Sequence, residues 1–498
     1  MNISLILQMA ADAEPDRIGL VCDGRRWSYG ALLKAARGAA AAIEAANCTH
    51  VGLLDESSEA AAIALFGAAI AGVPYVPLNY RLADNDLAAL LKRIEPAYLI
   101  GDVARVQRLN PDSGHKTLSR GEFVAQAETL GETASGEEHD GEGIAAQIFT
   151  SGTTAAPKAA LLRHANLLSY ILGTVEFGSA SADEAALVCV PPYHIAGIAA
   201  LLSSIYAMRR IVLLPAFEPD AWLKLAADER ASNAFVVPTM LSRIIAAMDA
   251  GNRPDLSSLQ AIAYGGGRMP LELIERALVL FPETGFTNAY GLTETSSTIA
   301  LLGPDEHRAA QQSDDPAVRA RLASVGRPLP TVEIEIRDED GKVLPAGERG
   351  EIYVRGEQVS GEYRERKALD ADGWFPTRDA GYIDSEGFLF LAGRADDVIV
   401  RGGENISPGE IEDVLMTHPA IADAAAVAVP SVEWGEAVGI AVVPRPGHDM
   451  PGDDALKALI RERLRSSRVP ERIVVLDALP YNEMGKLLRR EVKKRFAD

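Results

Sequence analysis

The sequence predicts an α/β protein: a large N-terminal domain with mainly parallel sheets packed by helices, plus a β-rich subdomain, and a small mobile α+β domain at the C-terminal end. Three observations predict it. The first half alternates strand-like and helix-like stretches, the pattern of βαβ units and parallel sheets. From Thr331 onward the texture changes to alternating apolar and charged residues, the mark of half-exposed strands. The last hundred or so residues then form a self-contained set of strands and helices.

Taken in order, residues 51–54 make a short apolar strand, and 59–71 are Ala-rich and helical. Gly72 ends that helix, and 73–78 return to strand. Residues 187–190, 211–214 and 235–237 read as further buried strands with helices between them. Residues 113–143, rich in Gly, Glu, Thr and His, read as a surface stretch of low order. Val332, Ile334 and Ile336 alternate with charged residues, as do Ile352 and Val354. The terminal unit carries helices at 411–417 and 455–464, and strands at 424–429, 439–443 and 473–476. The expected domains are 1–393 and 398–498, joined by a hinge at 394–397. Neither internal repeats nor heptads are seen.

Composition narrows the function. With 498 residues, the chain exceeds one ordinary core. Its formal net charge of −21 repels nucleic acid and anionic membrane surfaces. Nucleotide ligands then need locally concentrated cations. Cys22, Cys48 and Cys189 are far apart and odd in number, so no disulfide framework or metal spacing follows. The N-terminus has no basic flank before its apolar run, unlike a signal peptide, and no apolar stretch is long enough to span a bilayer. A soluble cytoplasmic protein is expected.

The sharpest segment is Thr150-Ser151-Gly152-Thr153-Thr154-Ala155-Ala156-Pro157-Lys158, placed between an apolar run and a helical stretch. Four hydroxyls, a glycine and a lysine suit an anion: N–H and O–H groups donate to phosphate oxygens, and the lysine adds charge. It is not a Walker A loop, because Pro157 replaces the second Gly and Ala159 the Ser or Thr. Gly265, Gly266 and Gly267 follow an apolar strand and allow a flat ligand to lie against bare backbone. In Asn288-Ala289-Tyr290-Gly291-Leu292-Thr293-Glu294-Thr295, Tyr290 can stack on a base and Glu294 can hold Mg²⁺ against phosphates. Asp379 suits the two hydroxyls of a ribose. Arg394 to Asp397, Arg401 to Asn405 and the Lys486 turn each also read as ordinary surface turns when taken alone.

In this order and over nearly the whole chain, roughly residues 21–489, these motifs resemble the adenylate-forming superfamily, most closely its acyl-CoA synthetases. The resemblance implies an ATP-dependent acid–thiol ligase that activates a carboxylic acid as acyl-AMP, releases pyrophosphate and passes the acyl group to coenzyme A. It implies that residues 150–158, with Thr150, Ser151, Gly152, Thr153, Thr154 and Lys158, cradle the β- and γ-phosphates. Gly265, Gly266, Gly267 and Tyr290 sandwich adenine, with Asn288 and Gly291 beside them. Thr293 touches the α-phosphate, Glu294 binds Mg²⁺, and Asp379 takes the ribose hydroxyls near Arg394. Asp396 is the hinge, Gly402 and Gly403 line the pantetheine tunnel, Lys486 serves adenylation, and His194 sits where the acyl pocket meets the thiol tunnel.

Three residues depart from the family's pattern. Ala155 and Ala159 stand where Gly is usual, which predicts a stiffer or differently shaped loop, and Arg378 replaces a Gly before Asp379. The expected acyl lining (195–201, 236–240 and 261–265) is apolar or small, so a hydrophobic acid is expected: fatty, aromatic or polycyclic. The rival readings are an acyl-AMP ligase that loads a separate carrier protein, and an inactive relative that only binds nucleotide or acyl ligand. A luciferase-like oxygenase has no feature that demands it. A homodimer is left open.

Overall fold

Every position from Ala60 to Ile70 in helix Glu59–Ile70 is buried, which is how a helix behaves when protein encloses it on all sides. Its enclosure explains the architecture. The same core contains Leu20, Ile211 and Leu213 from one sheet and Val51, Leu53 and Ile148 from another. This helix and Tyr29–Ala46 therefore lie between two sheets. The computed structural model describes residues 1–111, 113–131, 141, 143–150, 157–394, 397–401, 404–482 and 487–496.

Among the described residues, one sheet has nine strands. Its centre runs Gly285–Leu292, Ala261–Gly265, Asn233–Val236, Ala185–Val188, Arg210–Leu213 and Ile18–Cys22, all parallel. The other has seven strands, centred on Tyr75–Pro77, His50–Leu54 and Ala97–Gly101. The expected strands at 51–54, 187–190, 211–214 and 235–237 fall within these, shifted by a residue or two. A four-stranded antiparallel sheet, Glu333–Arg337, Gly350–Arg355, Phe375–Ile383 and Leu389–Arg394, forms the β-rich part of the large domain.

One expectation fails. Within 113–143, Lys116–Leu118 extends the seven-stranded sheet and Arg120–Gly131 is a helix. Phe123, Val124, Ala127 and Gly131 form a buried stripe on it, four apolar or small positions hidden in a polar composition. Gly38 of helix Tyr29–Ala46 meets that stripe at close range: a Cβ there would lie 1.9 Å from the Ala127 carbonyl oxygen. Residues 132–140 and 142 lie outside the described residues.

The small domain pairs Ile421–Ser431 with Gly435–Pro444 antiparallel, and Arg472–Val475 joins the latter in parallel. Helices Pro408–Met416 and Asp453–Arg463 cover one face, and Arg489–Lys493 with Phe496 covers the other. It contacts the large domain through Arg268, whose guanidinium donates to the Gly409 carbonyl at 3.0 Å and pairs with Asp413. Arg349 lies 3.8 Å from Glu410. Among the described residues, no helix is long and apolar enough to cross a membrane.

Candidate active site

Strands Ile144–Thr150 and Lys158–Arg163 form an antiparallel hairpin that brings Thr150 opposite Lys158. The Thr150 hydroxyl donates to the Lys158 carbonyl at 3.5 Å. Ser151, Gly152, Thr153, Thr154 and Ala155 lie outside the described residues. Ala159 is buried in the second strand opposite Phe149, outside the left-handed region, and its carbonyl accepts from Arg364 N–H at 2.9 Å. Alanine is therefore unstrained at this position, and the loop whose shape it was expected to change, residues 151–156, lies outside the described residues.

Strand Gly285–Leu292 runs into a single 3₁₀ turn, Thr293–Thr295. The Thr295 hydroxyl closes this turn by accepting from Leu292 N–H at 2.9 Å. The turn buries Glu294, whose carbonyl accepts from Ser360 N–H at 2.9 Å and Gly361 N–H at 3.3 Å. Its carboxylate Oε1 accepts from the Tyr363 hydroxyl at 2.6 Å. Tyr363 also lies in the edge strand beside Lys158–Arg163, with Lys158 Nζ 5.9 Å from its ring centre. The structure thus joins the phosphate-loop lysine and the metal-binding candidate through a residue that sequence reasoning passed over. Its signal was faint: one aromatic in the charged run Glu362-Tyr363-Arg364-Glu365-Arg366-Lys367, which reads as solvated surface.

Tyr290 and Asp379, in separate sheets, meet in the interior: the Tyr290 hydroxyl donates to Asp379 Oδ2 at 2.6 Å, and both residues are buried. Asp379 N–H donates to the Thr377 hydroxyl at 3.1 Å, and its backbone is in register with Arg394. Arg378, just before it, has φ = 63°, a left-handed conformation that costs a non-glycine residue roughly 1 kcal/mol. Its N–H donates to Glu351 Oε1 at 3.2 Å, and its guanidinium lies 3.8 Å from the same oxygen. The glycine usual here is thus explained by the backbone, and Glu351 offsets part of the strain.

Gly265 is paired with Ala289 on the neighbouring parallel strand, and a Cβ on it would lie 2.3 Å from the Ala289 carbonyl oxygen. Gly266 has φ = 76°, and Gly267 follows at the same strand end. This glycine run and Tyr290 therefore share the carboxyl ends of adjacent parallel strands, where α/β sheets bind ligands. Asn288 donates to the Ser324 carbonyl at 3.0 Å, a bond that fixes the same strand. Gly291 faces Ser297 so closely that a Cβ would lie 1.7 Å from its carbonyl.

His194 precedes helix Ile195–Tyr206. Its ring lies 4.6 Å from that of Tyr193, which meets Tyr80 edge-on at 5.7 Å. Burial lowers its pKa to about 4, so the imidazole is neutral near pH 7, and its Nε2 is buried without a hydrogen-bond partner among the described residues. The expected acyl lining is apolar: Met240 Sδ lies 3.8 Å from Cys189 Sγ, and the Tyr264 hydroxyl is turned away to His307 Nε2 at 2.8 Å.

Asp396, Gly402, Gly403 and Lys486 lie outside the described residues, as does the side chain of Arg394. Arg489 pairs with both carboxylate oxygens of Glu412, donates to the Ala426 carbonyl at 2.8 Å, and lies 3.6 Å from Asp397. Among the described residues, no group of three or more His, Cys, Asp or Glu side chains is arranged to hold a metal.

Comparison with known proteins places the chain in a family. The AMP-binding enzyme family matches residues 7–364, and the AMP-binding enzyme C-terminal domain matches residues 410–486. A fatty acid–[acyl-carrier-protein] ligase from Streptomyces coeruleorubidus is 31% identical over 98% of this chain and 95% of its own. A feruloyl-CoA synthase from an Amycolatopsis species is 31% identical over 87% of this chain and 86% of its own. The solved structure of o-succinylbenzoate coenzyme A synthetase from Bacillus subtilis, in complex with ATP and magnesium ion, is similar with a TM-score of 0.81. The two are 28% identical, covering 98% of this chain and 99% of that one.

Proposed function

This chain belongs to the AMP-binding enzyme family, and we propose that it joins a hydrophobic carboxylic acid to coenzyme A by way of an acyl-adenylate. The fatty acid–[acyl-carrier-protein] ligase and the feruloyl-CoA synthase that it resembles are acid–thiol ligases. The observation that supports the reading best is the meeting of Tyr290 with Asp379, 89 residues apart, beside the glycine run at Gly265. A base and a ribose need an aromatic face, bare backbone and a carboxylate in adjacent places, and those are the groups that converge.

In the first step, a carboxylate oxygen of the acid attacks the α-phosphorus of ATP in line, and pyrophosphate leaves. Both reactants are anions, so catalysis is mostly positioning and charge neutralisation. Lys158 places its ammonium by the β- and γ-phosphates, with Thr150, Ser151, Gly152, Thr153 and Thr154 donating to their oxygens. Thr293 reaches the α-phosphate, and Asp379 holds the ribose with Arg394 close by. Glu294 fits a magnesium ion: one oxygen is engaged by Tyr363, while Oε2 has no hydrogen-bond partner among the described residues. With no group of three or more His, Cys, Asp or Glu side chains arranged for a metal among the described residues, most ligands would come from phosphates and water, as magnesium prefers. Bound there, magnesium supplies positive charge against the phosphate oxygens. Lys486 brings a second cation to the attacking carboxylate.

In the second step, a thiolate attacks the acyl-adenylate carbonyl and AMP leaves. In this reading, the domain boundary is a hinge at 394–397, with Asp396 its pivot. Rotation of residues 398–498 exchanges Lys486 for the Gly402–Gly403 loop, which lines the thiol's path. His194, neutral and short of a partner, faces the junction of acid and thiol.

A carrier protein as acceptor is the second reading. It is favoured by the relative from Streptomyces coeruleorubidus, whose name gives an acyl-carrier protein as its acceptor. The test is exchange of labelled pyrophosphate into ATP across a panel of carboxylic acids, followed by thioester formation with free CoA or with a phosphopantetheinyl carrier. Acid-dependent exchange with acyl-CoA as product is expected. Exchange with thioester only on the carrier supports the second reading. No exchange with any acid, while ATP still binds, contradicts both.

A further inference from the structure

Tyr363 stands outside every motif that the sequence marks, yet it touches two of them. Its hydroxyl donates to Glu294 Oε1 at 2.6 Å, and its ring lies under the Lys158 ammonium, 5.9 Å from Nζ. The backbone holds it there from two sides. Tyr363 pairs with Ala160 on the strand that begins at Lys158, and Ser360 and Gly361, just before it, donate to the Glu294 carbonyl. The segment therefore ties the hairpin to the 3₁₀ turn independently of the phenol.

We propose that Tyr363 is a positioning residue for the divalent cation: by engaging Oε1, it turns Glu294 so that Oε2 faces the metal, while its ring steadies Lys158 against the phosphates. This rests on the reading of Glu294 as the carboxylate that holds magnesium. A carboxylate with both oxygens free rotates among several orientations, and fixing one oxygen with a charge-assisted hydrogen bond selects one of them. A carboxylate carrying one donated hydrogen bond still keeps its full negative charge, so the bond orients without neutralising.

The test is manganese binding, read by electron paramagnetic resonance, with Mn²⁺ and α,β-methylene-ATP added to the full-length protein. Tyr363→Phe keeps the ring over which Lys158 sits and removes only the hydroxyl. It is expected to weaken Mn²⁺ binding about tenfold, the worth of one hydrogen bond to a charged group. Tyr363→His, which returns a ring N–H donor, is expected to recover part of the loss and serves in its place should the phenylalanine variant not fold. In a Glu294→Gln background, Tyr363→Phe is expected to have no further effect. Unchanged Mn²⁺ affinity in Tyr363→Phe, or an equal loss in the Glu294→Gln background, would overturn the proposal. The ligase reading is judged separately by acid-dependent pyrophosphate exchange. Intact, Tyr363-dependent Mn²⁺ binding without exchange would sink that reading and leave this one standing.

Discussion

The Tyr290 hydroxyl donates to Asp379 Oδ2 at 2.6 Å, joining the last strand of the parallel sheet to the β-rich sheet. Removing one partner takes from the other a buried hydrogen bond to a charged group, which costs about 1.5–3 kcal/mol. Tyr290→Phe should therefore raise KM for ATP about tenfold, because the carboxylate loses its orientation. Asp379→Ala should lower kcat/KM for ATP by about 10²-fold or more. Steady-state kinetics at varied ATP, with the acid saturating, check both. An equal fall in kcat with KM unchanged would speak against a ribose role.

Lys486→Ala is expected to lose adenylation, by about 10²–10³-fold, and to keep thioester formation from supplied acyl-adenylate. The two half-reactions are measured separately, by pyrophosphate release and by acyl-CoA appearance. Equal loss of both would contradict the exchange of Lys486 for the Gly402–Gly403 loop.

Arg489 is the hub of an ion network with buried Glu412 and partly buried Asp397. Breaking such a network from one side strands buried charge. Arg489→Leu should destabilise the small domain by about 3 kcal/mol, seen as an earlier transition in denaturant unfolding. Arg268→Ala, at a half-exposed pair with Asp413, should cost under about 1 kcal/mol. The contrast between the two checks that burial, and not the number of ion pairs, sets the cost.

Three histidines make the protein acid-sensitive. Burial lowers His50, His164 and His194 from 6.5 to about 4; the Arg364 charge adds to the effect at His50 and the N-terminal ammonium adds to it at His164. Between those values the unfolded chain holds more protons than the folded one. Stability is therefore full above about pH 6.5 and falls as pH drops toward 4, by roughly 1.4 kcal/mol per pH unit for each histidine. Thermal midpoints from pH 4.5 to 7 should show the fall, and His164→Asn should make it shallower. A flat profile would contradict the buried neutral histidines.

The parallel sheets, the change to alternating strands after Thr331 and the terminal α+β unit were legible because each rests on local periodicity. The candidate site residues were legible as types: hydroxyls with a lysine, a glycine run, and an aromatic near a carboxylate. What escaped depends on contacts that only the fold creates. Helix Arg120–Gly131 was hidden because its buried stripe is four residues in a polar composition, and the partner that makes it pack, Gly38, lies far away in sequence. Tyr363 was hidden because its neighbours are charged, and its meaning comes from Glu294, 69 residues earlier. The substitutions at Ala159 and Arg378 looked alike in sequence. Backbone geometry separates them, one being ordinary strand and the other left-handed.

The central claim, that the acid's own oxygen is joined to AMP, is tested most directly by isotope transfer. The acid is supplied with both carboxylate oxygens as ¹⁸O, together with ATP, Mg²⁺ and CoA, and the products are weighed by mass spectrometry. An acyl-adenylate intermediate leaves one ¹⁸O in AMP, one in the acyl thioester and none in pyrophosphate. Unlabelled AMP, or ADP with label in inorganic phosphate, would contradict an acyl-adenylate.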